Sequence, residues 1–284
     1  MPTKTPKIVH EPANANWSAL MTNTLEKDQS ASSAQRQARL MEHLRNQASF
    51  DRDLLPGLLG VSVAVIESDL AELQSRGLLK RGRTGDLIVS QSTLDYDTSI
   101  REMTNTEEKA RIGAAAVDFI VEGDSVMIDS GTTSLQVATR LAGRPSLTFV
   151  TNGTDTLSVL KAAGAGKVYL VGGEYIDLNH SLGGPIAVDS VRGYSVDKAI
   201  LSVAAVDLER GVIATTSPQI GAVQQAMIGV ARTVIVVADH SKFDRTALSV
   251  IAPLHEIDHI VTDEATRPLV RNLPAAMRAK FVFA

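Results

Sequence analysis

The chain has no cysteine, and only 4% of its 284 residues are aromatic. The missing thiols exclude disulfides, thiolate-held zinc and cysteine nucleophiles, and they accord with a reducing compartment. With so few aromatics, the 44% of residues that are hydrophobic and can fill a sizeable core are mostly aliphatic. No apolar run is long enough to span a membrane, and residues 1–17 hold no apolar signal-peptide core. A soluble, cytoplasmic chain without membrane partner is expected. Strong charge is also missing. The formal net charge of −4 divides into +1 over residues 1–90 and −5 over the rest. The N-terminal part is thus the less acidic, without being a strongly basic module.

What is there falls into two parts, enough for about two domains. Residues 1–32 are rich in Pro, Asn, Thr, Ser and Ala and read as a flexible tail. Residues 33–47 carry Leu40, Met41 and Leu44 at helical spacing, with Arg36, Arg39 and Arg45 elsewhere on the turn. A short helix over 52–59 follows, with Pro56 inside it, where a proline removes a hydrogen bond. Gly60-Val61 makes a tight turn, and Ser62 caps a third helix running to about residue 75. On that helix Val63, Ile66, Leu70 and Leu73 read as one apolar stripe, and Gly77 closes it. Residues 78–81 and 87–89 read as short strands around a basic loop. Helix, turn, helix and wing over 33–90 is the winged helix-turn-helix plan, whose third helix fits a DNA major groove. A small helical interaction module without DNA is the plainer alternative. The expected DNA-facing residues are Arg36, Arg39, Ser62, Val65, Glu67, Ser68, Lys80, Arg81 and Arg83.

A polar linker is expected over 91–103. Thr104-x-x-Glu107 then reads as a capping box opening a helix to about residue 121. Beyond it, over 104–284, strands and helices alternate. Strands are expected at 126–129, 147–151, 168–171, 198–203, 234–238, 259–262 and 281–283. Helices are expected at 133–141, 154–163, 186–192, 219–231 and 264–271. Continuous apolar strands between helices predict an α/β domain with a mostly parallel sheet covered on both faces. In such a sheet, ligands bind outside the carboxyl ends of the strands. Polar clusters follow those ends: Asp129-Ser130-Gly131-Thr132-Thr133, Thr151-Asn152-Gly153, Gly172-Gly173-Glu174, Asp207 ahead of Gly211, and Asp239-His240-Ser241-Lys242. The first cluster ends a strand and opens a helix, gathering N–H groups, two hydroxyls and a positive dipole end at one point. Each cluster alone is an ordinary loop. Together they predict a pocket for a small phosphorylated polyol, with Lys242 supplying the cation. No cofactor and no metal is called for.

These runs carry a resemblance. Leu59-Gly60-Val61-Ser62, Gly77-Leu78-Leu79, Asp129-Ser130-Gly131-Thr132-Thr133, Thr151-Asn152, Gly172-Gly173-Glu174, Ala238-Asp239-His240-Ser241-Lys242-Phe243 and Ile260-Val261-Thr262-Asp263 resemble bacterial transcription regulators of the DeoR type over about residues 33–263. The resemblance implies a winged-helix DNA-binding domain and a sensor of the ribose-5-phosphate-isomerase-like fold. It also implies a homo-oligomer, dimer or tetramer, bound to double-stranded operator DNA as a repressor of carbohydrate utilisation and relieved by a sugar phosphate. Two departures stand out. The family's Thr-Ile-Arg-Arg-Asp-Leu is here Val65-Ile66-Glu67-Ser68-Asp69-Leu70, so two arginines are lost from the recognition helix; a glutamate accepts from cytosine but repels phosphates. Ala204-Ala205-Val206-Asp207 stands where the family tends to have glycines.

Two other functions fit parts of the sequence. A sugar-phosphate isomerase would need a carboxylate base from Asp129, Asp207 or Glu174, and residues 211–216 lack the lysine such enzymes carry there. A sensor with decayed DNA binding would follow from Glu67 and Ser68. His255-Glu256-Ile257-Asp258-His259 matches the metalloprotease pattern H-E-x-x-H, but the alternation from Ile257 to Thr262 predicts a strand, which leaves the rings too far apart for one zinc.

Overall fold

A computed structural model describes residues 33, 36, 37, 39–41, 54–75, 79–81, 87–89 and 98–284. The expected tail, most of the linker, Leu44, Gly77 and Arg83 lie outside the described residues. In the N-terminal part, helical residues 33–41 as described, helix Leu55–Leu59 and helix Val63–Ser75 enclose a small core of Leu40, Met41, Leu55, Leu59, Ile66, Leu70, Leu73 and Leu79. Strands Leu79–Arg81 and Leu87–Val89 pair antiparallel as the wing. Gly60 takes the left-handed φ of 68° that lets the chain turn sharply, and its N–H donates to the Pro56 carbonyl.

Two local expectations are corrected. Pro56 sits in the first turn of its helix, where no intrahelical donor is needed, so it removes nothing. Val63 is 63% exposed, because it opens its helix on the side away from the core; the buried stripe is Ile66, Asp69, Leu70 and Leu73.

The C-terminal part is built on seven parallel strands, here β1 to β7: Ser125–Ile128, Thr148–Thr151, Lys167–Leu170, Val196–Ser202, Ala231–Val237, His259–Thr262 and Phe281–Phe283. Their order across the sheet is β7-β6-β5-β4-β1-β2-β3. Successive side chains point to opposite faces, and both faces are covered. Val126, Ile128, Phe149, Ile200 and Val237 meet Ile112, Val137 and Leu141 on one side; Met127, Leu201 and Val236 meet Ala187, Val191, Val223 and Met227 on the other. Two-sided burial is why the strands are continuously apolar. The order reverses between β1 and β4, and the connections leave a crevice there beyond the strand ends.

Two additions were not expected: a hairpin, Glu174–Ile176 with Ser181–Gly183, and a three-stranded antiparallel sheet of Ala205–Asp207, Val212–Thr215 and Ser249–Pro253. Part of the expected linker, Thr98–Met103, is a helix. The capping box is displaced too. The next helix is Thr106–Ala116, with no side-chain cap at Asn105, whose φ is 51° and whose amide points elsewhere. Among the described residues no helix is long and apolar enough to cross a membrane, and no group of His, Asp or Glu is placed to hold a metal. His255 lies in a 3-10 turn while His259 opens β6 with its ring 4.3 Å from that of Phe119, so H-E-x-x-H is a turn entering a strand.

A candidate anion-binding cleft at the switch point

An open cleft lies at the ends of β1, β4 and β5. Ser130, Thr132 and Thr133 line it after β1, Ser202, Val203 and Ala204 after β4, and Lys242 and Arg245 after β5. Thr215, Thr216, Gln224, Asn179 and Arg101 complete its polar wall. The helix Thr132–Leu141 starts at the cleft, and the Ser202 hydroxyl accepts from its Ser134 N–H at 3.0 Å. Gly131 precedes it at φ 155°, and a Cβ there would come within 2.7 Å of the Ser202 Cβ. Gly131→Ala is therefore expected to lose about 1–3 kcal/mol in thermal denaturation, since Ser202 cannot retreat without breaking its 3.0 Å bond from the Ser134 N–H.

Of the residues expected from sequence, Ser130, Thr132, Thr133 and Lys242 line the cleft, and Gly131 lines the crevice next to it. Others hold the wall from behind. The Asn152 Oδ1 accepts from the Ser130 N–H at 2.9 Å, and the Thr151 hydroxyl donates to the Ile128 carbonyl. Asp239 is buried; it accepts from the Ser241 N–H at 3.0 Å and from the Asn105 amide at 2.8 Å. Burial pushes this carboxyl up, but the charges of Lys242 and Lys109 and those two bonds outweigh it and hold it at about 2. It is an anion that fixes the loop carrying Lys242.

Three expected residues are elsewhere. Asp207 accepts from the Arg210 N–H and closes a turn of the small antiparallel sheet, which carries the chain away from the end of β4. Gly173 allows close packing onto the helix Gly184–Arg192, where a Cβ would meet that of Ala187 at 2.8 Å; Gly172 lies beside it, its N–H donating to the Ser190 hydroxyl at 3.3 Å. They serve the approach of helix to loop.

Asp129 sits at the floor, fully buried. Its Oδ2 accepts from the Gln224 amide at 2.6 Å, and its Oδ1 has no hydrogen-bond partner. Burial raises its pKa to about 7, against the lowering effect of the Gln224 bond. Gln224, missed from sequence because it lies mid-helix in Pro218–Val230, donates also to the Ser202 carbonyl at 2.7 Å. Both its N–H groups are committed, so its Oε1 is fixed as an acceptor, and it lacks a partner. The Ser130 and Thr216 hydroxyls are likewise buried without partners. Arg101 and Arg245 were also missed: the first lies in the supposed linker, the second just past the Lys242 run.

That run and the Ile260–Asp263 run explain each other. The His240 N–H donates to the Asp263 carboxylate at 2.7 Å, and the His240 ring lies 3.1 Å from it. Donating a hydrogen bond to the Asp263 carboxylate raises the His240 pKa.

In the N-terminal part, Glu67 and Ser68 are exposed on the outer face of Val63–Ser75, with Val65 half-buried and the Ser62 hydroxyl accepting from the Val65 N–H at 3.4 Å. Arg39 is exposed, and Lys80 and Arg81 lie on the first wing strand. Arg36 is corrected. Its guanidinium grips the buried Asp69 at 2.8 and 3.1 Å, so it ties two helices together rather than reaching for phosphate.

A helix-turn-helix followed by an α/β domain with a cationic, hydroxyl-lined cleft is the plan of a transcription regulator. The comparisons agree: residues 104–264 match the DeoR C terminal sensor domain. The chain is 43% identical to the transcriptional repressor AccR of Agrobacterium fabrum, over 89% of this chain and 98% of that one. It is 34% identical to a putative aga operon transcriptional repressor of Escherichia coli O157:H7, over 81% and 86%. With the glycerol-3-phosphate regulon repressor of Escherichia coli K12 the identity is 28%, over 81% and 90%. The chain belongs to the DeoR family of transcription regulators. Among solved structures, ribose 5-phosphate isomerase A of Methanocaldococcus jannaschii is similar at TM-score 0.38 and 14% identity, over 49% of this chain and 55% of that one.

Proposed function

We propose that this chain is a repressor of a carbohydrate-utilisation operon whose grip on operator DNA is controlled by a phosphorylated sugar or polyol in the cleft. The observation that carries the reading is the chemistry of one wall, which combines two features. The cationic side chains of Lys242, Arg101 and Arg245 suit an anion, and the Gln224 amide with the Thr132, Thr133 and Thr215 hydroxyls suits the hydroxyls of a sugar. A phosphate group alone meets the first, and a plain sugar meets only the second. A phosphorylated polyol meets both. Relatives named as repressors of sugar-related operons support the same reading. The DNA reader is the outer face of Val63–Ser75 with the wing, and paired half-sites would call for a homo-oligomer.

A thermal-shift screen of phosphorylated sugars and polyols tests it. At about 100 times its Kd, a true effector should raise Tm by roughly 5–10 °C, while the unphosphorylated counterpart does little. The same compound should change retention of the chain's own promoter fragment. If no phosphorylated compound moves either quantity, the reading is wrong.

A further inference from the structure

The helix Thr98–Met103 stands in the chain between the wing and the sensor, with only residues 90–97 separating it from the wing strand Leu87–Val89. It is nevertheless built into the sensor's cleft. Arg101 lines the cleft beside Thr132 and Lys242. Thr98 and Glu102 line the crevice on the other side of Ser130 and Thr132. Positions 98, 101 and 102 are spaced i, i+3 and i+4, which is one face of a helix. That face is turned to the site.

Several bonds among the described residues hold it there and lead towards the cleft. The Thr98 hydroxyl donates to the Leu178 carbonyl at 3.1 Å, and the Arg101 guanidinium donates to the Thr98 hydroxyl at 2.8 Å. The buried Lys109 ammonium donates to the Arg101 carbonyl. The charge of Lys109 also acts on Asp239, which Lys242 faces and Asn105 binds at 2.8 Å. Asn105, just after the helix, holds a left-handed φ of 51°, a conformation that costs energy in a residue with a side chain and needs its surroundings to maintain it. The connecting segment and the cation of the cleft thus share one polar network.

We propose that Arg101 is an effector ligand delivered by the connecting helix, so that a phosphate in the cleft clamps this helix to the sensor and sensing begins with the position of residues 98–105. This rests on the cleft being the effector site. A ligand shifts an equilibrium only by binding one arrangement better than another. Arg101 supplies that difference, because its guanidinium reaches the phosphate only when the helix is docked. A forked donor on a phosphate is among the stronger polar contacts available.

The test compares the full chain with Arg101→Gln and Arg101→Lys, using inorganic phosphate and glycerol 3-phosphate as probes. Calorimetry should show binding weakened by more than about tenfold in Arg101→Gln and partly restored in Arg101→Lys, with the unliganded Tm of all three alike. Hydrogen exchange supplies the readout that a merely structural arginine would not move. Phosphate should slow exchange of the amides over 98–105 in the native chain and not in Arg101→Gln. Equal affinity in native chain and Arg101→Gln, or binding that leaves exchange over 98–105 unchanged, overturns the proposal. If neither these probes nor the wider panel binds the native chain, the effector reading itself has failed, and this proposal falls with it.

Discussion

From about pH 6 to about pH 8, affinity for a phosphorylated sugar should fall about tenfold more in the native chain than in Asp129→Asn. Asp129 lies under the cleft with a pKa raised by burial to about 7. In the empty cleft it therefore loses its proton across this range. An anion above it favours the protonated form. Binding then requires proton uptake, and the protonated fraction falls from about nine-tenths to about one-tenth between those pH values. Asparagine keeps the acceptor for Gln224, puts an N–H where Oδ1 has no partner, and cannot titrate. Comparing the two chains with one ligand cancels the ligand's own titration. Stability should follow the same sign. A carboxyl raised from 3.8 to about 7 carries no penalty below the lower value, and the penalty grows to on the order of 4 kcal/mol above the upper one. Asp129→Asn should thus melt like the native chain in acid and be the more stable near pH 8. Parallel affinity profiles would show that binding moves no proton at Asp129.

Asp69→Ala should cost about 3–5 kcal/mol within the DNA-binding part and reduce retention of the promoter fragment by more than about tenfold, leaving the effector-induced thermal shift intact. Asp69 is 3% exposed and accepts from the Arg36 guanidinium twice and from Ser33 and Gln37 at 3.4 Å each. Removing the carboxylate strands a guanidinium that is itself mostly covered, since only 18% of the Arg36 side chain is exposed. The two helices then lose the polar tie that sets their angle, and the outer face carrying Glu67 and Ser68 loses its mount. Measuring DNA retention and the ligand-induced shift on the same preparation separates this from general unfolding. Unchanged retention would mean that the apolar core alone, Leu40 to Leu79, holds the helices in place.

The parallel sheet was legible in the sequence because strands buried on both faces must be apolar throughout, and all seven strands lie within a few residues of their expected positions. The small antiparallel sheet was not, since Ala205–Asp207 and Val212–Thr215 are short and sit among polar residues. The strand order was not legible either. Periodicity says that a strand exists and not which neighbour it pairs with, so all five strand-end clusters looked equivalent. Pairing of β1 with β4 singles out the crevice between them and leaves Asp207, Gly172 and Gly173 to other work. Arg36 looked like a phosphate contact because its partner lies 33 positions along the chain. Thr104-x-x-Glu107 looked like a helix start because spacing cannot reveal that the Asn105 amide goes to Asp239, 134 positions away.

That last separation has a consequence for how the protein is made. The cleft draws its wall from Arg101 through Ala247, and the loop bearing Lys242 is held by contacts to segments synthesised long before it. On the ribosome, the helix-turn-helix emerges first, and the cleft is complete only when nearly the whole polypeptide is out. A premature stop or a protease cut ahead of position 242 would release a product that keeps the helix-turn-helix and lacks one wall of the cleft.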